Sequence, residues 1–396
     1  MPTGSCPPAR AGPCRVSEAG LEEGGSAPVR VPRTPPGYFE PKEGRGLVQR
    51  LAASRRFQGL AMRIPGLRRI ARREGEAIFD IVAGFCHSQI LMALVELGTL
   101  SRLAGGPAPE ADLARCAGVP PDRMRVLLRA AASLGLLRLR AGRARLTSRG
   151  AALAAVPGLP DMIAHHAILY RDLADPAAFF RGETETELAG FWPYVFGAGA
   201  AEDPSRAARY SQLMADSQAL VAEDTIALAG LDRTRHLMDV GGGTGAFLDA
   251  VSVAHPRLKL TLFDLPAVVP GAVARLGQRA EIRAGSFRDD PLPRGADTIS
   301  LVRVLYDHAD GTVAALLREV HAALPPGGRL ILSEPMGGST AGDAYFALYC
   351  MAMRTGRVRS PGEIGRLMAE AGFEVAGPPR SRRPFVTTVL QGVRKS

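Results

Sequence analysis

From residue 235 to the C-terminus, short apolar runs of strand length alternate with stretches of helical periodicity. Two further runs close the chain with no room for a helix between them. The predicted strands are 237–240, 259–264, 280–285, 298–304, 329–335, 373–377 and 387–393. This alternation predicts an α/β domain with a mainly parallel, doubly wound sheet and one reversed strand near its edge.

Residues 76–150 show helical periodicity followed by two short alternating runs. Helices are predicted over 76–98, 110–118 and 120–135, and a two-stranded hairpin turns at Ala141 and Gly142. The third helix has one apolar stripe, made of Met124, Leu127, Leu128, Ala131 and Leu134. This order of elements is typical of a winged helix.

Before residue 76 the pattern is weaker. Residues 1–44 are rich in Pro, Gly and Ser, a composition that favours a disordered arm. Residues 45–75 carry apolar side chains at helical spacing between arginines, which predicts short amphipathic helices around Pro65. We therefore expect a helical winged-helix domain over 76–200 and a cofactor-binding domain over 201–396.

Residues 151–232 are predicted to be mostly helical and are dense in large side chains. These are His165, His166, Tyr170, Phe179, Phe180, Phe191, Trp192, Tyr194, Phe196, Tyr210 and Met214. Packing between two domains explains such a segment, and so does the lining of an apolar substrate site. The periodicity does not choose between these interpretations.

Composition narrows the class of protein. The 396 residues are 46% hydrophobic and 22% charged, which excludes collagen, a coiled coil and a wholly disordered chain. The net charge of +10 is concentrated between residues 41 and 73, where ten basic residues face one acid. Such a segment suits an anionic membrane surface or a neighbouring subunit.

The chain contains no run of eighteen uncharged apolar residues, and its N-terminus lacks the apolar core of a secretory signal. We therefore expect the protein in the cytoplasm. Any contact with the cytoplasmic face of the membrane is expected to be peripheral and to use residues 41–73. Five cysteines without CxxC spacing support neither a disulfide framework nor a zinc site, and no metal is expected.

A glycine-rich turn follows the first strand of the predicted sheet. Residues 237–240 run directly into the glycines of 241–245 and then into a helix, and Asp264 closes the next strand. Glycines let a ligand approach the backbone, the helix start offers free amides, and the acid can accept ribose hydroxyls. The pattern predicts a nucleoside cofactor. Gly241, Gly243 and Ala246 also satisfy a relaxed dinucleotide fingerprint, so a nicotinamide enzyme is an alternative.

Asp239, the GGGTG turn and the FDLP stretch at 263–266 resemble the small-molecule O-methyltransferases of the caffeic-acid type. The resemblance runs from residue 76 to the C-terminus. It implies a seven-stranded, Rossmann-like methyltransferase fold preceded by a winged-helix dimerisation domain. It also implies a homodimer, S-adenosylmethionine as cofactor and a small-molecule substrate, with no nucleic acid.

The same resemblance assigns cofactor contacts. Asp264 matches the aspartate that holds the ribose, and Phe287 matches a residue packed on the adenine. Ser286 stands where the family has an aspartate, so a carboxylate is lost there. The residues expected at the cofactor are Asp239, Gly241, Gly243, Gly245, Asp264, Leu265, Ser286, Phe287 and Arg303.

The largest departure from the family lies after the fourth strand of the sheet. Plant members have His-Asp-Trp there, and their histidine takes the proton of a phenol, whereas this chain has Tyr306, Asp307 and His308. Glu334 matches the family's first orienting glutamate, and Val358 replaces the second. We expect His308 to remove the acceptor's proton, with Tyr306 and Asp307 as relay or orienting groups and Glu334 beside them.

The Tyr-Asp-His variant and the basic N-terminal segment resemble a bacterial branch of this family that methylates carotenoids. That branch implies an apolar acceptor, the tertiary 1-hydroxyl of an acyclic carotenoid. A phenol, quinone or polyketide acceptor is the alternative. A DNA-binding regulator is a further one, because the winged helix is rich in arginine at positions 123, 125, 129, 138, 140, 143 and 145.

Overall fold

The computed structural model describes residues 49–50, 53–191 and 204–395. The predicted arm over 1–44 lies outside these ranges, as do Trp192, Tyr194 and Phe196. Helix α1 (Arg55–Ala61) is capped by Ser54, whose hydroxyl accepts the amide hydrogen of Phe57. Helix α2 (Pro65–Glu96) begins with Pro65 in its first turn. Proline lacks an amide hydrogen, and at this position no helical hydrogen bond is lost, because the first amides of a helix have no partner within it.

Helix α2 differs from the sequence prediction in its length. It runs without a break over 32 residues, so the boundary predicted at residue 76 lies inside it. It also contains a window of eighteen residues with mean hydropathy 1.8, of which 11% is buried. By length and composition this helix could cross a membrane, although no apolar run of that length is free of charges.

The winged-helix unit forms as predicted, with one helix and one strand that the sequence analysis missed. Its helices are α3 (Thr99–Ala104), α4 (Glu110–Ala117) and α5 (Pro121–Ser133). Its strands are β1 (Ala108–Pro109), β2 (Leu137–Arg140) and β3 (Arg143–Leu146). They form an antiparallel sheet in the order β1-β3-β2. Ala141 and Gly142 turn the hairpin in the left-handed region, with φ of 50° and 69°.

Within the described residues, four α-helices connect this unit to the sheet. They are α6 (Ser148–Ala155), α7 (Leu159–Asp172), α8 (Pro176–Phe180) and α9 (Pro204–Ala229). Helix α7 packs on both α2 and α9, and it also contacts the helical segment that follows the fifth strand of the large sheet. The predicted boundary at residue 201 falls between described ranges.

The C-terminal half has the predicted seven-stranded sheet. Its strands are β4 (His236–Val240), β5 (Lys259–Asp264), β6 (Glu281–Ala284), β7 (Thr298–Val302), β8 (Arg329–Glu334), β9 (Phe373–Val375) and β10 (Thr388–Arg394). The order is β6-β5-β4-β7-β8-β10-β9, and β10 runs opposite to the other six strands. The reversed strand near one edge is confirmed.

Helices cover both faces of this sheet, as a doubly wound fold requires. They are α10 (Ala246–Ala254), α11 (Val269–Leu276), α12 (Asp310–Ala323), α13 (Ala347–Met353) and α14 (Pro361–Glu370). A π-helical turn, Ala341–Phe346, leads into α13. One core packs α12 and α14 against the sheet, and the other packs α9, α10 and α11. The carboxyl ends of β4, β5 and β7 therefore meet at one edge.

Candidate active site

The turn between β4 and α10 requires its glycines. Gly241, Gly243 and Gly245 have φ of 72°, 59° and 79°, in the left-handed region that side chains disfavour. A β-carbon on Gly242 would lie 2.5 Å from Oδ2 of Asp239. Beside Gly243, in contrast, there is open space. The turn is thus a backbone loop that only glycine adopts without strain, and it leaves room for a ligand.

Asp264 holds this turn from the end of β5. Its Oδ2 accepts the amide hydrogen of Gly243 and its Oδ1 that of Leu265, both at 2.7 Å. Burial raises the pKa of Asp264, and the two amide hydrogen bonds oppose that shift. The carboxylate predicted to grip a ribose therefore also orders the glycine turn, and each oxygen keeps a lone pair for a further donor.

Asp239 lies under the same turn. Its Oδ1 accepts the hydroxyl hydrogen of Ser300 at 2.6 Å, while its buried Oδ2 has no hydrogen-bond partner. Burial raises the pKa of Asp239 to about 7, a shift reduced by the Ser300 bond and increased by the charge of Asp264. A buried carboxylate oxygen without a donor next to an open glycine turn suits a cationic ligand.

The loop after β6 carries Ser286 and Phe287. The Ser286 hydroxyl donates to Asp289 at 2.8 Å, and its amide donates to Asp290 at 2.8 Å. A carboxylate therefore still lies beside position 286, although the family's aspartate is absent from it. The sequence analysis missed Asp289, and the only available signal was the acidic pair that follows Phe287.

The ring of His308 lies against this loop. It stands edge-on to Phe287 with ring centroids 5.2 Å apart, and its Nδ1 is 3.0 Å from Nη2 of Arg288. Burial lowers the pKa of His308 to about 4, and the charges of Arg288 and Arg359 add to the effect. The ring is thus neutral at physiological pH. Its role as the proton acceptor stays a prediction, since its ring packs on Phe287, a residue expected at the adenine.

Tyr306 and Asp307 lie together at the end of β7, as expected. Tyr306 is buried and hydrogen bonds to the side chain of Arg303, a residue with φ of 59° whose amide donates to Ser333. Burial raises the pKa of Tyr306 above its usual range, and the charge of Asp307 raises it further. Burial also raises the pKa of Asp307, whose Oδ1 has no hydrogen-bond partner.

Glu334 joins this group from the end of β8. Its Oε2 accepts the amide hydrogens of Leu305 at 2.9 Å and Tyr306 at 3.3 Å, and its Oε1 has no partner. Burial raises the pKa of Glu334 to about 7, opposed by the charge of Arg359 and by the two amides. Glu334 thus fixes the backbone that carries Tyr306.

Arg359 was missed by the sequence analysis. It is fully buried and donates to the carbonyl oxygens of Leu305 at 2.8 Å and His308 at 2.7 Å, and to Asp310. One guanidinium group therefore closes both ends of the loop 305–310. Its neighbour Val358, which replaces the second family glutamate, packs against the apolar cluster around Tyr306.

Two histidine–tyrosine pairs lie between α7 and the segment 341–353. Nε2 of His165 is 2.9 Å from the hydroxyl of Tyr349, and Nε2 of His166 is 2.7 Å from that of Tyr345. These contacts pack the segment 151–232 against the segment 341–353, and they are compatible with both interpretations of its large side chains. The tyrosines could not be linked to the histidines from the sequence.

Among the described residues, no group of three or more His, Cys, Asp or Glu side chains is arranged to hold a metal ion. The parallel sheet with its glycine turn, the acid after β5 and the carboxylate without a partner instead define a nucleoside-cofactor enzyme of the doubly wound class. The fit to S-adenosylmethionine rests on Asp239, because an ammonium or sulfonium group would compensate its unpartnered oxygen.

Comparison with known proteins identifies the family. The profile of the O-methyltransferase domain matches residues 170–374. Demethylspheroidene O-methyltransferase of Rhodobacter capsulatus is 53% identical over 364 residues, covering 91% of this chain and 92% of that protein. The protein of the same name from Cereibacter sphaeroides is 56% identical over 357 residues, covering 88% of this chain and 94% of that protein. The chain belongs to the O-methyltransferase family.

Solved structures agree. Human N-acetylserotonin methyltransferase in complex with S-adenosylmethionine aligns with a TM-score of 0.69 at 25% identity, covering 82% of this chain and 98% of that one. CalO1, a methyltransferase in calicheamicin biosynthesis with bound S-adenosylhomocysteine, aligns with a TM-score of 0.65 at 26% identity. The alignment covers 81% of this chain and 98% of that one. The cofactor is S-adenosylmethionine, and the nicotinamide alternative is wrong. The protein is an S-adenosylmethionine-dependent methyltransferase acting on a small molecule.

Proposed function

We propose that this protein methylates the tertiary 1-hydroxyl of an acyclic carotenoid such as demethylspheroidene. The similarity that supports this proposal is above 50% identity to two named carotenoid methyltransferases over most of both chains. Tyrosine in place of the usual histidine also supports it. An aliphatic alcohol is far less acidic than a phenol, so it loses its proton late, and a strong base matters less than alignment.

When bound, S-adenosylmethionine supplies an activated methyl group with a good leaving group. We assign its ribose to Asp264, its adenine to Phe287 and Ser286, and its cationic end to Asp239. Arg303 and Tyr306 lie at the end of β7, where the hydrogen bond between them holds both side chains. Glu334 and Arg359 hold the backbone of the loop 305–310, so the site is rigid before substrate binds.

The test uses the purified full chain, labelled S-adenosylmethionine and carotenoid extracts, with products identified by mass spectrometry. Acyclic carotenoids with a 1-hydroxyl are expected to gain one methyl group, and matched carotenoids without that hydroxyl are expected to gain none. Phenols, naphthoquinones and aromatic polyketides serve as competing acceptors. Methylation of one of these, with no reaction at the 1-hydroxy carotenoid, would overturn the proposal.

We also propose a homodimer that forms through α2. This helix exposes a continuous apolar surface, with Ile81 exposed by 81% and Phe85 by 71%. Large exposed apolar patches mark interfaces, and a second copy of α2 matches this one in length and character.

Ile81→Glu with Phe85→Glu is expected to give a monomer by light scattering. Val126→Glu, at a residue exposed by 69% on α5, is the control. A wild-type monomer would contradict the proposal.

The residues just before α2 and in its first turns support the proposal of a peripheral location on the cytoplasmic membrane face. Arg63, Arg68, Arg69 and Arg73 are exposed there, next to Ile64 and Ile70, which are exposed as well. Each basic residue near an anionic surface contributes about 1 kcal/mol. Sedimentation with phosphatidylglycerol vesicles is expected, and replacing these arginines with glutamate should abolish it. Equal binding to neutral phosphatidylcholine vesicles would contradict an electrostatic contribution.

A further inference from the structure

The His166–Tyr345 pair joins two parts of the chain that are far apart in sequence, α7 and the π-helical turn before α13. The hydroxyl of Tyr345 lies 2.7 Å from Nε2 of His166, and the two rings stand nearly edge-to-face with centroids 5.5 Å apart. The equivalent pair one turn further along the second helix is His165 with Tyr349. The structure therefore contains two polar pairs of the same chemistry.

The two pairs differ in access. Tyr345 is half-buried, whereas Tyr349 is buried within the apolar cluster of Ile168, Leu169 and Phe179. Burying a hydroxyl without a partner is unfavourable, which accounts for the bond between Tyr349 and His165 as a structural one. Tyr345 has the same bond and in addition a surface on which a ligand can bind.

The Tyr345 pair is neutral. Burial lowers the pKa of His166 to about 4, and the charge of His165 adds to this effect. Burial raises the pKa of Tyr345 to about 12. A neutral imidazole carries its hydrogen on one ring nitrogen, and in the tautomer with that hydrogen on Nδ1, which the proposal requires, Tyr345 donates and Nε2 of His166 accepts. This direction leaves the lone pairs of the Tyr345 oxygen able to accept a hydrogen bond from a further hydroxyl.

Tyr345 lies close to the end of β7. Its ring contacts Phe346, with centroids 4.9 Å apart, and Phe346 contacts Tyr306 at 6.3 Å. The positive charge of Arg303 acts on both Tyr306 and Tyr345. The next residue, Val304, would lie 3.0 Å from a β-carbon on Gly241. A continuous set of contacts thus connects the glycine turn to Tyr345.

We propose that Tyr345 accepts the hydrogen bond of the acceptor's hydroxyl and that its own proton passes to Nε2 of His166 as the methyl group is transferred. The inference rests on the proposed function. The acceptor's oxygen bonds to the methyl carbon as the bond between that carbon and the donor's sulfur breaks, and S-adenosylhomocysteine leaves as a neutral thioether. The O–H bond of the acceptor breaks, its proton passes to Tyr345, and Tyr345 gives its own proton to Nε2 of His166. The imidazolium gains the positive charge that the methyl donor loses. Tyr345 is then the catalytic residue, and His166 acts through it.

Three variants test this assignment. Tyr345→Phe is expected to lower kcat by about a hundredfold, within the usual range for acid–base groups, while the Kd of S-adenosylhomocysteine stays within twofold. His166→Gln keeps an acceptor for the Tyr345 hydroxyl and cannot take its proton, so kcat should fall with the acceptor KM unchanged. Tyr349→Phe, which removes the same hydroxyl from the buried pair, should change kcat less than tenfold.

Nitrogen-15 NMR of histidine-labelled protein gives a readout besides activity. Nε2 of His166 should resonate as an unprotonated, hydrogen-bonded nitrogen, and its signal should shift in Tyr345→Phe and remain in Tyr349→Phe. A protonated Nε2, or a Tyr345→Phe variant with kcat within threefold of wild type, would overturn the inference. If wild type ignores the 1-hydroxy carotenoid, the proposed function fails alone, and the variants are compared on the acceptor that it does methylate.

Discussion

The His308 ring stands edge-on to the ring of Phe287, with their centroids 5.2 Å apart. The histidine expected to receive the acceptor's proton is therefore next to the aromatic side chain expected at the adenine. We therefore expect a neutral, buried imidazole in that position to support the adenine site through Phe287.

His308→Ala should accordingly weaken the binding of S-adenosylhomocysteine about tenfold, since aromatic pairs contribute roughly 0.5–1.5 kcal/mol beyond their buried area. Calorimetry measures the affinity. His321→Ala is the matched control, because His321 stands against Phe373 at the same centroid distance of 5.2 Å, away from the site. Unchanged affinity with a hundredfold lower kcat would instead support His308 as the base.

Asp264→Ala should raise the Kd of the cofactor by about a hundredfold, because hydrogen bonds to charged groups contribute roughly 1.5–3 kcal/mol each. The variant also removes the acceptor for the amides of Gly243 and Leu265, so part of the loss comes from the turn itself. Asp297→Ala, at the opposite end of the sheet beside the amide of Arg235, is the control. Unchanged affinity in Asp264→Ala would remove this carboxylate from the cofactor site.

The contribution of Glu334 to the free energy of unfolding should fall as the pH rises from 4.5 to about 7, because burial raises the pKa of Glu334 to about 7. In that window the folded chain keeps a proton that the unfolded chain has lost, at up to about 1.4 kcal/mol per pH unit. Asp239, with its pKa raised to about 7, acts in the same direction. His166 and His308, whose pKa values are lowered to about 4, act in the opposite direction. Denaturant titrations therefore compare Glu334→Gln with wild type, and the stability of the variant relative to wild type should rise as the pH rises across this range.

Glu363→Gln is the control for that measurement. The amide and hydroxyl of Ser360 and the charge of Arg357 lower the pKa of Glu363 to about 2. Its contribution to stability is therefore complete above 4.5 and is lost only as the pH falls toward 2. The slope between pH 4.5 and 7 should be the same as in wild type. An unchanged slope in Glu334→Gln would show that the glutamate is ionised in the folded state.

Arg359→Lys should cost about 3 kcal/mol of stability and lower kcat, because buried carbonyl groups left without donors cost roughly 1–3 kcal/mol each. A lysine cannot reach the carbonyls of Leu305 and His308 and the carboxylate of Asp310 at once. Chemical denaturation and steady-state kinetics measure both effects. Arg357→Ala removes a neighbouring guanidinium that is more exposed and also pairs with Asp310, so it should cost less than about 1 kcal/mol. Equal losses in the two variants would contradict the role of Arg359.

Local patterns in the sequence were enough for the elements and for the cofactor turn. Strand periodicity predicted all seven strands of the large sheet and its reversed strand, because burial on both faces leaves a continuous apolar run. The glycines of 241–245 and Asp264 were predictable for a similar reason. Their backbone geometry and their place at adjacent strand ends follow from residues near to them in sequence.

Tertiary structure decided which side chains meet around the acceptor site. Tyr345 is 179 positions from His166, and Arg359 is 51 positions from the carbonyl of His308 that it binds, so no local period relates either pair. The continuity of α2 was likewise decided by the structure: Gly75, a residue disfavoured in helices, stands between its basic and apolar parts, and the helix runs through it. The chain's own pattern specifies elements, and the packing of distant elements specifies the proton path and the surface left for a partner.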